Sequence, residues 1–198
     1  MKPDRKAERE AQIAQATYDL LVEKGYAATS MLSIAKRAKC SNETLYNWYG
    51  DKLGLIRSLV TRNAAEARAA LDTALAAGKS PMETLDLFGP VLLQVLLGDR
   101  AIALNRAAAA DPTGALGRAL SQAGRETFLP RLTDIIDRAV HEGTLATDDP
   151  AKAVELYLGL LIGDLQIRRA IGRVPPLPAD QIKARSDTAL TMVQKLLS

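Results

Sequence analysis

The sequence predicts an all-α protein. Alanine and leucine dominate, apolar residues recur at three- and four-residue steps instead of alternating, and aromatic residues make up only 4% of the chain. Strands draw on β-branched and aromatic side chains, and a repeat of three to four residues is the mark of one helical face. About nine helices result, with no internal repeat and no low-complexity segment.

In order along the chain, Ile13, Ala16, Thr17, Leu20 and Leu21 draw one stripe along a helix that Gly25 ends. Ser30 is placed to cap a short helix carrying Ile34, Ala35 and Ala38, and Ser41 a second one, because a hydroxyl accepts from the free N–H groups of a first turn. A fourth helix begins after Gly50 with Asp51 as its cap and shows Leu55, Ile56, Leu59 and Val60. Ser80-Pro81-Met82-Glu83 combines capping-box spacing with proline at the first helical position, and Asp149-Pro150 repeats the proline device. A helix from about Thr113 is stopped by Gly143, with a kink expected at Pro130. The eighth helix covers about Ala151 to Ile171. Pro175, Pro176 and Pro178 form a stiff connector to the last, which carries Ile182, Ala189, Leu190, Val193 and Leu197.

Composition narrows the function. The 198 residues carry 26 Lys plus Arg against 23 Asp plus Glu, a formal charge of +3, which is too mild to establish nucleic-acid binding alone. No run approaches the ~18 apolar residues of a membrane span, and the N-terminus lacks the apolar core of a signal peptide, so a cytoplasmic location and no membrane partner are expected. One cysteine, Cys40, and one histidine, His141, leave no disulfide framework and no expected metal site or cofactor. An enzyme is not expected, since there is no phosphate-cradling glycine loop, no His–carboxylate metal pattern and no serine motif with a histidine partner.

Two short helices joined by a tight turn and braced by a longer one match the geometry that sets a recognition helix in a DNA major groove. The second covers roughly Asn42 to Trp48, where Asn42, Thr44, Tyr46, Asn47 and Trp48 offer amide, hydroxyl and aromatic groups while Leu45 anchors the helix. Lys36, Arg37, Lys39 and Lys52 gather nearby against Glu43 and Asp51. The bland readings differ by residue. Tyr49 is assigned to the core and Trp48 to the surface, Lys36 and Arg37 read equally well as a solvated face, and Cys40 reads as a packing residue in the turn.

These residues resemble the TetR family of transcriptional regulators. The resemblance lies in Glu23-Lys24-Gly25-Tyr26-Ala27-Ala28-Thr29-Ser30-Met31, Ile34-Ala35-Lys36-Arg37-Ala38, Ser41, Thr44-Leu45-Tyr46 and Gly50-Asp51-Lys52. The sequence departs from the family at Lys39, where glycine is common, and at Cys40, Glu43 and Trp48. The resemblance implies a helix-turn-helix domain over 7–67, with the motif at about 30–49, and a helical effector-binding and dimerisation domain over 68–198. It implies phosphate contacts from Ser30, Lys52 and Tyr46, with Lys39 and Ser41 as further backbone contacts, and base contacts from Asn42, Thr44, Asn47 and Trp48. Glu43 either selects cytosine or turns away.

In the C-terminal part, the eighth helix has apolar stripes on two sides, one for its own protomer and one for a partner. Val154, Leu158, Gly159, Leu161 and Gly163, with Leu190 and Val193 of the last helix, are the expected seam of a homodimer, the arrangement the family uses. The small residues Ala107 to Ala110, Gly114, Gly117 and Gly124 either leave a cavity or permit tight packing. The segment from Ala103 to Gly143 resembles the AefR-like branch, which implies a small-molecule effector, with Phe88, Gln94, Asn105, Phe128, Tyr157 and Gln166 as candidate pocket residues. The expectation is a homodimeric repressor released from palindromic double-stranded DNA by that ligand. The alternative is a helical adaptor or ligand-binding protein that does not bind DNA.

Overall fold

The computed structural model describes residues 3–198, with side chains from Arg5 onward. The signal-peptide expectation falls partly on Met1 and Lys2, outside the described residues. In chain order the helices are α1 (Pro3–Ala28), α2 (Met31–Ala38), α3 (Asn42–Tyr49), α4 (Lys52–Ala76), α5 (Pro81–Leu97), α6 (Asp99–Ala109), α7 (Ala115–Ala123), α8 (Arg125–His141), α9 (Pro150–Ile162), α10 (Leu165–Ala170) and α11 (Ala179–Leu196). The nine expected rods are present, two of them broken in the middle, and α1 leaves helical geometry at Gly25 (φ 74°, ψ 174°), where the sequence placed the end of the first helix. Among the described residues no single helix is long and apolar enough to cross a membrane.

The breaks fall where glycine makes them cheap. The kink expected at Pro130 is instead a break at Gly124, whose φ of −102° and ψ of −99° separate α7 from α8. Pro130 sits inside α8. Gly163, with φ at +52°, divides the expected Ala151–Ile171 rod into α9 and α10; left-handed φ costs glycine little and other residues more. The caps read from sequence are present: Ser30, Ser41, Ser80 and Asp149 each accept an N–H from the first turn, and Ser30 and Ser80 complete capping boxes.

The chain divides into two compact units. The first ends at Arg62 and includes Ala103–Ser121, a segment that the sequence reading assigned to the second domain. Its core joins Ile13, Ala16 and Leu20 of α1 to Met31, Ile34 and Ala35 of α2, Leu45 of α3 and Leu55 of α4. Thr17 is buried in the same stripe at no polar cost, because its hydroxyl donates to Ile13 O at 2.7 Å. Between α6 and α7, the Asp111 carboxylate accepts from Leu116 N at 2.9 Å and Thr113 N at 3.1 Å, and these donors hold it below its ordinary pKa.

The second unit covers Asn63–Ile102 and Gln122–Ser198. Leu71, Leu85, Phe88, Leu93, Leu132, Ile136, Val154, Tyr157, Leu161 and Val193 belong to one core drawn from α4, α5, α8, α9 and α11. Close approach of α5 to α9 and α11 depends on Gly89, where a Cβ would lie 2.3 Å from Ser186 Oγ and 2.6 Å from Tyr157 Oη. Arg169 of α10 is buried and donates to Leu97 O, Val174 O and the Asp99 carboxylate. That pins α10 and the loop after it to the end of α5.

Candidate nucleic-acid interface

α3 is held by one buried side chain and by what comes before and after it. Leu45 is fully buried, a contribution of about 1.5–3 kcal/mol for a leucine taken from water. Before α3, the turn passes through Lys39 in the left-handed conformation (φ 51°, ψ 46°), which lets Cys40 N donate to Ala35 O at 3.0 Å. Lysine pays about 1–2 kcal/mol for that conformation, and glycine pays entropy of about 0.5–1 in the unfolded chain instead. Lys39→Gly is therefore expected to stabilise the protein by about 0.5–1 kcal/mol, read as a rise in the urea midpoint. After α3, the first turn of α4 crosses the α3 C-terminus so closely that a Cβ on Gly54 would lie 2.0 Å from Tyr49 O. Gly54 N donates to the Asp51 carboxylate at 2.7 Å, which makes Asp51 the cap.

Three cations tie this frame together. Arg9 Nη1 reaches Ala38 O at 3.3 Å and Lys39 O at 3.2 Å, at the C-terminus of α2. Lys52 Nζ donates to Tyr26 O and Thr29 O, both at 3.0 Å, and lies 4.1 Å from the centre of the Tyr26 ring. Arg37 grips both carboxylate oxygens of Glu23, at 2.7 and 2.6 Å, and holds that carboxyl below its ordinary pKa. Each cation meets either carbonyls at a helix end, where the backbone dipoles are negative, or a bidentate acid. Lys52, expected at a phosphate, has two of its three donors on carbonyls at the end of α1 and so also acts as a brace. Burial, then the carboxylates of Asp111 and Asp51, push the Tyr26 phenol up.

The outward side of α3 carries the polar groups. Asn42, Glu43, Tyr46 and Asn47 are exposed, and Tyr46 keeps 49% of its surface. Thr44 is half-buried; its N–H donates to Ser41 Oγ at 3.0 Å and the two hydroxyls pair at 2.7 Å. Ser30 and Lys39 are exposed. Trp48 does not join the base-facing set. Three residues on from Leu45, it falls on the inner side of the helix and packs half-buried on the core with Tyr49, their rings edge to face at 6.3 Å and 67°. Lys6 Nζ covers the indole at 5.7 Å from its centre. Cys40 is half-buried and burial pushes its thiol up, away from a reactive thiolate.

The six expected pocket residues divide between the two units. Phe88, Phe128 and Tyr157 do meet, with the two phenyl rings stacked at 5.8 Å, but as close-packed core. Tyr157 spends its hydroxyl on Leu85 O at 3.4 Å, and burial raises its pKa. Gln94 is exposed, Gln166 donates to Leu96 O at 3.2 Å, and Asn105 belongs to the first unit.

Part of the expected seam is taken by the protein's own core. Val154, Leu161 and Val193 are wholly buried within their own chain, and Leu158 and Leu190 are half-buried against the same core. Gly159 and Gly163 are exposed. In this unit Leu87, Ile167, Ile171, Met192 and Leu196 leave large apolar side chains exposed. Among the described residues no cluster of His, Cys, Asp and Glu is arranged to hold a metal ion. His141 Nδ1 lies 2.8 Å from Asp137 O at the end of α8.

Sequence reasoning missed Arg9, the Glu23–Arg37 pair and Arg169. A cation braced on a carbonyl leaves no pattern in sequence, because its acceptor is present on every residue. The outward placement of Glu43 was legible, since it stands one helical turn from Asn47.

Comparison with known proteins agrees with this geometry. Residues 13–59 match the family described as bacterial regulatory proteins, tetR family, and residues 83–195 match the AefR-like transcriptional repressor C-terminal domain. The chain is 39% identical over 61 residues to the HTH-type transcriptional regulator YdeS of Bacillus subtilis, a match spanning 31% of each chain. It is 30% identical over 149 residues to the HTH-type transcriptional repressor KstR of Mycolicibacterium smegmatis, covering 71% of this chain and 67% of that one. A TetR transcriptional regulator from Agrobacterium tumefaciens superposes with a TM-score of 0.72 at 29% identity, covering 100% of this chain and 95% of the other. With both family domains matched in order and the helix-turn-helix assembled around Leu45, the chain belongs to the TetR family and is a DNA-binding transcriptional regulator, not an enzyme.

Proposed function

We propose that the protein is a homodimeric, cytoplasmic repressor that binds a palindromic operator and leaves it when a small molecule binds the second unit. The observation that carries this reading is the two-sidedness of α3, with Leu45 fixed in the core and Asn42, Tyr46 and Asn47 facing solvent. Amides pair bidentately with adenine in the major groove, and a phenol hydroxyl reaches a phosphate. The matched AefR-like domain is described as that of a repressor, which supports the sign of regulation. A two-fold dimer gives each half-site its own α3, and the exposed side chains of Ile167, Ile171, Met192 and Leu196 supply apolar surface for the pairing. The ligand shifts DNA affinity only by its differential affinity for the two states of the dimer.

Selection of bound sites from random duplexes tests the reading. The expected product is an inverted repeat whose centres lie one helical turn or a multiple apart. On that site, Asn47→Ala is expected to cost about 1–3 kcal/mol and to relax preference at one base pair per half-site. Tyr46→Phe is expected to weaken all duplexes alike. A protein that sediments as a monomer, or binds every duplex equally, rejects the proposal.

A further inference from the structure

The outer face of α3 has an acid at its centre. Glu43 and Asn47 stand two residues to either side of Leu45, so at 3.6 residues per turn each points about 160° away from the buried leucine. They are therefore the two side chains aimed most directly outward, one turn apart on a single ridge. Asn42 and Tyr46 flank that ridge on one side and Thr44 on the other.

Glu43 is not consumed by the fold. It is exposed, and among the described residues no ion pair holds it. The guanidinium of Arg37, in α2, is bound at both ends to Glu23, and the ammonium of Lys52 donates to Tyr26 O and Thr29 O. Its place in the first turn suits the helix dipole, but a first-turn acid on any face of the helix would serve that purpose. What needs a reason is an anion at the centre of a surface that meets a polyanion. Along the phosphate path it is repelled. Over the floor of the major groove it meets base edges, and an ionised carboxylate can only accept hydrogen bonds. The edge opposite must then donate. Cytosine presents only the N4–H2 donor there and adenine presents N6–H2 beside the acceptor N7, which repels a carboxylate, whereas guanine presents two acceptors and thymine an acceptor and a methyl group.

We infer that Glu43 is a specificity-determining residue that selects a cytosine in each half-site by accepting from its N4 amino group. It also rejects guanine and thymine at that position, because a desolvated carboxylate would face another acceptor. The inference rests on the DNA-reading role proposed above for α3. On this reading the chain gives up general affinity for choice at one base pair.

The test compares full-length wild type, Glu43→Gln and Glu43→Ala by selection from random duplexes at one salt concentration. Affinities are then measured for the selected site, for its three substitutions at the cytosine, and for an unrelated duplex. The expected wild-type preference for cytosine is about tenfold or more, the scale of one good side-chain-to-base pairing. Glu43→Gln should move the preference at that one position to adenine, whose N6 and N7 suit an amide, and leave the other positions unchanged. Glu43→Ala should tolerate all four bases there, and both neutral variants should hold the unrelated duplex more tightly. The inference is overturned if both variants select the wild-type site with its preferences intact and gain the same factor on every duplex; Glu43 is then only a source of repulsion. If wild type retains no duplex at all, the DNA-reading role fails first, and this inference with it.

Discussion

Replacing Gly54 with alanine is expected to destabilise the helix-turn-helix by roughly 3 kcal/mol, at the upper end of overpacking costs. The sign is the informative part. In an unobstructed helix the same change stabilises by about 1 kcal/mol, because glycine gives up more backbone freedom on folding. Here the added methyl would lie 2.0 Å from Tyr49 O and 3.2 Å from the carbonyl carbon, and backbone at the end of α3 cannot swing aside as a flexible side chain would. Relief requires α4 to lift from α3, which disturbs Asp51, Lys52 and the orientation of the recognition helix together. Urea unfolding followed by the fluorescence of Trp48, the single tryptophan and itself part of α3, reads the loss directly. Gly117→Ala in α7 is the control, since nothing lies within 4 Å of the new methyl, and it is expected to stabilise by about 1 kcal/mol. Equal shifts for the two variants would show that α4 does not bear on α3.

Arg169→Ala is the second large effect, a loss of roughly 3 kcal/mol in the second unit. Its guanidinium is buried and fans out to Leu97 O at 3.1 Å, Val174 O at 3.3 Å and Asp99 Oδ1 at 2.6 Å. Removing it strips donors from two carbonyls, at about 1–3 kcal/mol for each acceptor left dry, and opens a hole where the side chain lay. The partner acid matters far less. Asp99 keeps 81% of its side chain in water, so Asp99→Ala is expected to cost under about 1 kcal/mol. Arg169→Lys should recover only part of the loss, because an ammonium cannot address three divergent acceptors as a planar fork does. Urea midpoints by circular dichroism order the three variants. If Asp99→Ala proved as costly as Arg169→Ala, the ion pair and not the carbonyl contacts would be the source of stability.

The periodic elements were legible because burial repeats. The stripe from Ile13 to Leu21, the caps at Ser30, Ser41, Ser80 and Asp149, and the anchor Leu45 are local in sequence and fall where expected. Trp48 was misread because composition favours an aromatic at a groove, whereas its three-residue step from Leu45 turns it inward. The eighth rod shows the limit of two-sided stripes. Both sides of it were apolar, and sequence could not say which one its own chain would take; Val154 and Leu161 went to the core. The break at Gly124 in preference to Pro130 was a contest between two breakers that local rules rank alike. Lys52 and Arg9 were unreadable for a further reason, since their acceptors are main-chain oxygens distant in sequence.

The bracing of α1, α2 and α4 by Arg9, Arg37 and Lys52 bears on how the protein finds its site. Glu23 cancels one positive charge at Arg37, so that guanidinium displaces no counterion from a duplex, whereas Arg9 and Lys52 keep their charge beside neutral carbonyls and hold it at fixed places on the frame.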